Sequence, residues 1–387
     1  MKIDQEQAEA VEICLAHNIP FALFALPGEE FFKFFASLPD EAGESRAFDG
    51  DECCDTFFIN FFDNDEPYTA GVRREYNARS VIEYVHSHPG LLFELPLIRP
   101  SVTSTRRVSY DAAFRRIIPR LKRYGGKVVL SQHQSILSHR SLLEVADEYF
   151  GCSDNTFRYL CFTPETGIWL GATPELLLAT GDNPGEVVTM SLAGTKLMSD
   201  ETQWDEKNLE EHELVTAYIE AVLKELGMEV NVGNLCEMPF CHLKHLCNVI
   251  TATGDADVHD ILEALSPTPA VAGLPRDIAL SEIDTLETHS RRCYAGYVGV
   301  RLDGKYYAYV NLRCAFVAPV SLSDEDSSEV AYLYNLYSGG GIVASSVCND
   351  EWDEAMAKVS LLASIINPDS DPELTDFNPR SVHFSGC

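Results

Sequence analysis

This sequence predicts a mixed fold of antiparallel sheet and packed helices, either two domains or one large fold of two similar halves, on three observations. The chain has 387 residues, beyond the usual size of one small domain. Apolar residues make up 45% of it and aromatic residues 10%, a globular composition able to build a large core. Short apolar runs punctuated by Gly and Pro alternate with longer stripes at helical spacing.

Taken in order, Ala8, Val11, Cys14 and Leu15 define a first helix over residues 5–17, stopped by Asn18 and Pro20. An apolar strand over 21–26 follows, and the aromatic stretches 31–35 and 57–62 read as core strands or helix faces. His86 and His88 alternate as they would on a short strand or loop. Phe114, Ile117, Ile118 and Leu121 mark a helix over 109–124, and Gly125 and Gly126 end it before a short strand, 127–130. Runs at 157–162, 168–170, 176–179 and 187–192 read as antiparallel strands. Val215, Tyr218, Ile219, Val222 and Leu226 form the stripe of a long helix, 209–226, stopped at Gly227. Strands over 294–302 and 305–316 are joined by an Asp303-Gly304 hairpin turn, and another strand runs over 332–336. Residues 319–329 read as an exposed excursion. A closing helix, 351–365, takes Asp350 or Asn349 as its N-cap, and a loose tail follows Pro368.

Sixty acidic against 29 basic side chains give a formal charge of −31, a field that repels nucleic acid and anionic membranes. Neither is an expected partner. With no apolar leader and no run of roughly 18 apolar residues, the expected location is cytoplasmic. Twelve cysteines, among them the adjacent pair Cys53 and Cys54, read as reduced, buried thiols.

Candidate chemistry is spread along the chain. Glu351, Glu354 and Lys358 share one face of the closing helix, as a solvated ion-pair stripe or as part of a site. Glu210, Glu211 and Glu213 lie near the start of the long helix, where they favour the helix dipole or, together with the carboxylates of the closing helix, suggest a pair that holds Mg²⁺, a hard ion that prefers oxygen ligands. Arg313, in a strand-like run, requires either a buried partner carboxylate or an anionic ligand. Lys127, at the head of an apolar strand, is an exposed strand end or a desolvated amine fit for general-base work. Glu175, between a turn and an apolar run, is a turn residue or a carboxyl kept protonated by its surroundings. Cys236, Cys241, His242, His245 and Cys247 do not match the spacing of a zinc knuckle. The glycines of residues 338–343 lack the Lys-Ser/Thr of a phosphate loop and bring backbone close to a ligand or a neighbouring strand.

These fragments, in this order, resemble the chorismate-utilising enzymes, the family of isochorismate, salicylate, anthranilate and aminodeoxychorismate synthases. The match runs through Lys127-Val-Val-Leu-Ser131, Gly171-Ala-Thr-Pro-Glu-Leu176, Leu192-Ala-Gly-Thr195, Glu211-His212, His245-Leu246 and Pro267-Thr-Pro-Ala-Val271. It continues through Arg291 to Gly296, Leu312-Arg-Cys-Ala315, Tyr337 to Val343, and Glu351-Trp-Asp-Glu354 with Lys358. The resemblance implies an α+β fold of two similar halves, large antiparallel sheets with helices packed between them around one site. Residues 1–100 would be a family-variable N-terminal part, 101–366 the chorismate-binding catalytic region and 367–387 a loose tail.

Pro267-Thr-Pro-Ala-Val271 resembles the version carried by isochorismate-forming members; aminating and salicylate-forming members carry Thr where Ala270 stands. The resemblance therefore implies an isomerase that adds water to chorismate at C2 with loss of the C4 hydroxyl, for menaquinone or siderophore synthesis. Lys127 would activate the water and Glu175 protonate the leaving hydroxyl. Glu211 and Glu354, assisted by Glu351, would hold Mg²⁺. Arg313 and the amides of Gly339 and Gly341 would grip the enolpyruvyl carboxylate, and Gly194, Thr195, His245, Ala270, Val271 and Lys358 would complete the pocket. No glutaminase subunit is expected, only a monomer or simple homo-oligomer. The alternatives are a salicylate synthase and a chorismate-binding paralogue without turnover. The chain departs from the family pattern at Gln132, at Ser266 and at Asn208, which stands where an acidic residue is common and bears on metal binding.

Overall fold

The computed structural model describes residues 2–38, 54–62, 69–93, 103–321 and 330–368. The described elements begin with α1 (Gln5–Ala16), β1 (Phe21–Ala25), β2 (Lys33–Ala36), β3 (Thr56–Asn60), β4 (Thr69–Arg73), α2 (Ala78–Ser87), α3 (Arg107–Tyr124), β5 (Lys127–Ser138) and α4 (Leu142–Gly151). They continue with β6 (Phe157–Thr163), β7 (Gly167–Thr173), β8 (Leu176–Thr180), β9 (Glu186–Leu197), α5 (Glu206–Glu225), β10 (Glu229–Val232), β11 (Cys236–Phe240), β12 (Leu243–Thr253) and α6 (Val258–Leu265). The last are β13 (Gly273–Leu274), α7 (Arg276–Leu286), β14 (Tyr297–Leu302), β15 (Lys305–Val310), β16 (Cys314–Ser321), β17 (Val330–Ile342) and α8 (Cys348–Ile366).

Among the described residues the strands form two antiparallel sheets, in the orders β13-β5-β17-β16-β7-β6-β1-β2 and β10-β12-β9-β8-β15-β14-β3-β4, with β11 added on β12. The α+β class is as expected, and the two halves are the sheets themselves; the sheets meet directly through aromatic side chains, and α1, α2, α4 and α8 pack on the far side of the first sheet instead of between the two. Neither half is a continuous stretch of chain, because successive hairpins go alternately to one sheet and the other.

Alternation along the strands explains the layering. Phe24, Phe157 and Tyr159 of the first sheet face Phe57 and Tyr309 of the second, with Phe24–Phe57 centroids at 6.0 Å and Phe157–Tyr309 stacked at 4.8 Å. Their neighbours Leu23, Leu160 and Phe162 point the opposite way, into a cluster with Val11, Val85, Val145 and Leu362 of α1, α2, α4 and α8. Helices α3 and α7 cover the end of the same sheet, burying Phe114, Ile117 and Ile283 against Val128, Leu130 and Ile342. Helix α5 lies along β9 and buries Val215, Ile219 and Leu223. Among the described residues no helix is long and apolar enough to cross a membrane.

Several local expectations change. β5 runs for 12 residues instead of ending at Leu130, because its polar continuation is paired with β17 throughout and its side chains find partners. Ser135 Oγ, for example, donates to Asn335 Oδ1 at 2.6 Å. The strand read over 305–316 is two strands in different sheets, broken at Asn311-Leu312-Arg313, where Arg313 takes a left-handed φ of 51°. His86 and His88 end helix α2, which Asn77 caps reciprocally with Ser80 and whose Val81 and Val85 are buried. Helices α4, α6 and α7 were not legible, and α8 starts after Val347 instead of after Asn349 or Asp350. Cys14, Cys161, Cys247, Cys293 and Cys314 are buried, but Cys54, Cys152 and Cys236 are exposed. The Asp303-Gly304 hairpin forms as read, Leu302 facing Lys305. The excursion beyond Ser321 and nearly all of the C-terminal tail lie outside the described residues.

A buried ion pair ties the core to the site. Arg291 grips Glu287 through Nε to Oε2 at 2.8 Å and Nη2 to Oε1 at 2.5 Å, and donates to the carbonyls of Val271 at 2.7 Å and Val129 at 2.8 Å. Burial alone would raise the Glu287 pKa; the Arg291 charge and hydrogen bonds, with the Ser131 N–H, outweigh it and hold the carboxyl below its usual range. This contribution is present at neutral pH and lost as pH falls through the folded pKa. Arg291→Met leaves Glu287 buried and uncompensated, and denaturant titration at pH 7 should show a loss of about 3 kcal/mol or more.

Candidate active site

Two chain crossings between the sheets lie side by side. The first, Pro174-Glu175, takes the chain from β7 to β8, and the second, Asn311-Leu312-Arg313, takes it from β15 to β16. They are stitched together by Val310 N–H donating to Glu175 O at 2.9 Å, Thr173 Oγ to Val310 O at 2.6 Å and Ala172 N–H to Arg313 O at 3.3 Å. The hydroxyl of Tyr149 on α4 donates to Arg313 O at 2.8 Å. Glu175 and Arg313 therefore enter one cavity from adjacent backbone segments.

That cavity is lined by Glu175, Gly194, Thr195, Glu211, His245, Ala270, Val271, Arg313, Gly339, Gly341, Glu354 and Lys358, twelve of the residues singled out from sequence. Val129, Pro174, Leu192, Tyr294, Tyr337 and Ser338, which were not singled out, complete much of the wall. Tyr294 and Tyr337 stack at 5.4 Å, forming an aromatic floor that no spacing pattern announced.

Glu175 is 3% exposed. Burial raises its pKa to about 8 against the opposing charges of Lys127 and Lys358, so at neutral pH it is a carboxylic acid able to donate a proton. His245 is pushed down to about 3 by burial and the Arg313 charge. Its ring is therefore neutral: Nδ1–H donates to Gly194 O at 2.9 Å, and Nε2 accepts from Arg313 Nη2 at 3.1 Å. A second bond, from Arg313 Nη1 to Lys358 O at 2.8 Å, and the Phe240 ring 4.8 Å below fix the guanidinium fork.

The glycines of β17 are aligned by the ladder. Gly339 lies opposite Ser131 and Gly341 opposite Val129. Val129 N–H donates away from β17 to Ala272 O at 2.8 Å, and Ser131 N–H to Glu287 Oε1 at 2.6 Å. These are thus non-hydrogen-bonded pairs, and the polar groups of Gly339 and Gly341 face the other edge. β16 pairs with β17 only as far as Leu336, so that edge opens on the cavity. Lys358 Nζ already donates to Gly339 O there at 2.9 Å. At Gly341 a Cβ would stand 2.2 Å from Glu211 Oε1 and 2.4 Å from Lys127 Cε, so no side chain is tolerated without moving both.

Lys127 and Glu351 are not on the cavity wall. Lys127 is fully buried just behind it, its Nζ 2.9 Å from Glu211 Oε1. Glu351 lies across β17, where a Cβ on Gly340 would stand 3.2 Å from its Oε2. Lys207, one helical turn before Glu211, was missed, although the i, i+4 spacing was a usable signal. Its Nζ lies 3.1 Å from Glu351 Oε1, 3.6 Å from Glu211 Oε2 and 3.8 Å from Glu354 Oε2. Burial opposes its charge, but the three carboxylates outweigh that and raise its pKa. Burial would likewise raise Glu354, yet Lys358, 2.8 Å away, together with Lys207 holds it well below the usual carboxylate range.

Among the described residues no three ligand side chains form a ready-made metal cage. The donor set nevertheless fits a hard divalent cation: Glu211 on α5 and Glu354 on α8 already converge on one cationic point, and would close from the 3.6 and 3.8 Å of an ammonium contact to the roughly 2.1 Å of Mg²⁺–oxygen bonds. Asn208 takes no part in that cluster; its Oδ1 accepts from Thr195 N–H at 3.3 Å. Gln132 faces a separate cavity under α8, beside Trp352 and Met356. On β11 and β12, Cys236 lies opposite Cys247 while His245 turns into the site.

A family profile described as chorismate binding enzyme matches residues 98–367. The isochorismate synthase MenF of Haemophilus influenzae is 32% identical over 244 residues, 60% of this chain and 53% of that protein. The isochorismate synthase EntC of Escherichia coli is 30% identical over 219 residues, 51% of each. The chain thus aligns with about half the length of these curated relatives. In fold, MenF of Escherichia coli, the menaquinone-specific isochorismate synthase, superposes with a TM-score of 0.68 at 21% identity, covering 90% of this chain and 89% of that one.

Proposed function

The chain belongs to the chorismate-binding enzyme family, and from that premise we propose that it is a Mg²⁺-dependent isochorismate synthase. The observation that carries the reading is Glu175, a carboxyl kept protonated by burial in the same cavity as the Arg313 guanidinium and the Lys358 ammonium. Such a cavity accepts a dianion and can hand a proton to a departing hydroxyl.

In this reading Lys127 takes a proton from water as its oxygen bonds to C2 of chorismate. The ring double bonds shift, and the C4–O bond breaks as Glu175 protonates the leaving oxygen. One water enters and one leaves, so the conversion is an isomerisation. Arg313 and the open edge of β17 at Gly339 and Gly341 hold the enolpyruvyl carboxylate, and Thr195, Ala270 and Val271 shape the pocket around the ring. Glu211 and Glu354 would hold Mg²⁺, which supplies positive charge for the ring carboxylate.

Chromatography of chorismate incubated with the protein tests the proposal. Isochorismate should accumulate with no pyruvate, and EDTA should abolish turnover, with excess Mg²⁺ restoring it. Pyruvate released in step with chorismate loss would reassign the chain to salicylate formation.

A further inference from the structure

The carboxylate cluster has a distinctive pairing. Lys127 serves Glu211 Oε1 at 2.9 Å, and Lys358 serves Glu354 Oε1 at 2.8 Å. The other oxygens of the same two glutamates, both Oε2, share a single cation, the Lys207 ammonium, at 3.6 and 3.8 Å. Those two oxygens, converging on one ammonium from different helices, are the ones through which the glutamates can share a divalent ion. Lys207 also has a second anchor: Glu351, off the cavity wall, receives it at 3.1 Å through Oε1 and 3.3 Å through Oε2. Its side chain is 19% exposed, unlike the 1% of Lys127, so it is the less tightly enclosed of the two amines.

From this arrangement we propose that Lys207 is a resident counter-ion that occupies the divalent-cation position and withdraws onto Glu351 when the metal binds, so that Lys207 sets the metal affinity. The inference rests on the reading of Glu211 and Glu354 as metal ligands. In the metal-free state the ammonium prevents three clustered carboxylates from repelling one another and keeps α5 and α8 in register. When the metal arrives, a cation beside it is repulsive, and Glu351 gives that cation a nearby place. Glu351 is then the holder of the displaced lysine, not a direct metal ligand.

The test is calorimetric titration of Mg²⁺ into the full-length protein without substrate, alongside thermal unfolding with and without Mg²⁺. Lys207→Met should bind Mg²⁺ at least about tenfold more tightly than wild type, melt lower without metal and gain more from its addition. A lysine that merely braces the helices predicts the opposite, a loosened site with weaker binding, so unchanged or weaker affinity overturns the proposal. Lys207→Arg, whose planar fork grips carboxylates more firmly, should bind Mg²⁺ several-fold more weakly. If Lys207→Met does not fold, equal affinity in Lys207→Arg overturns the proposal. Loss of the metal reading itself looks different: wild type, Glu211→Gln and Glu354→Gln would then all give the same featureless titration.

Discussion

Lys127→Ala should fold and yet convert chorismate about a hundred to ten thousand times more slowly than wild type, the range expected when a general base is removed. Lys127 is fully buried at the head of β5, and its amine contacts Glu211, which lines the cavity. The same contact offers a competing explanation, that Lys127 only positions Glu211. Magnesium titration separates the two: with Lys127 as the base, the variant loses turnover while Mg²⁺ binding persists, whereas a positioning role predicts that both fail together. Wild-type turnover in Lys127→Ala would remove the base assignment.

Glu175→Gln is nearly isosteric and should cost about a thousandfold in turnover, because the amide cannot deliver a proton to the leaving oxygen. Wild-type activity should fall as pH rises through about 8, where Glu175 loses its proton. The variant's residual rate should lack that limb. Stability gives an independent readout. The unfolded carboxyl titrates near 4.3 and the folded one near 8, so between those values the folded state holds the extra proton and stability declines with rising pH. The glutamine variant should lose that slope in denaturant titrations across the window. An unchanged alkaline limb in the variant would show that another group controls it.

These residues were legible to different degrees. Helix α5 could be read from Val215, Ile219 and Val222, and the β14–β15 hairpin from Asp303-Gly304, since both depend on neighbours close in sequence. β5 was cut short because Gln132, His133 and Ser135 look like loop residues until β17 and a serine–asparagine bond satisfy them. Arg313 was read within a strand, and the break that aims it shows only once the chain is seen to change sheets there. Lys207 went unremarked because a lysine one turn before a glutamate is usually a surface pair, and only the approach of α8 makes it the hub of three carboxylates.

The sequence by itself determined the inventory: two large antiparallel sheets with amphipathic helices, the family, and the twelve singled-out side chains that line the cavity. Periodicity and turn chemistry, which are properties of residues near one another in the chain, encode the individual helices and strands; the two-sheet architecture, the family and the twelve side chains follow from ordered motifs that resemble the chorismate-utilising enzymes. What depended on tertiary structure is that Glu175 is sealed enough to stay protonated, that Lys127 stands behind Glu211 instead of on the wall, and that Lys207 meets three carboxylates from two helices. The physical reason is that desolvation and Coulomb interaction depend on distances between groups far apart in sequence, such as Lys127 and Glu211 or Lys207 and Glu351.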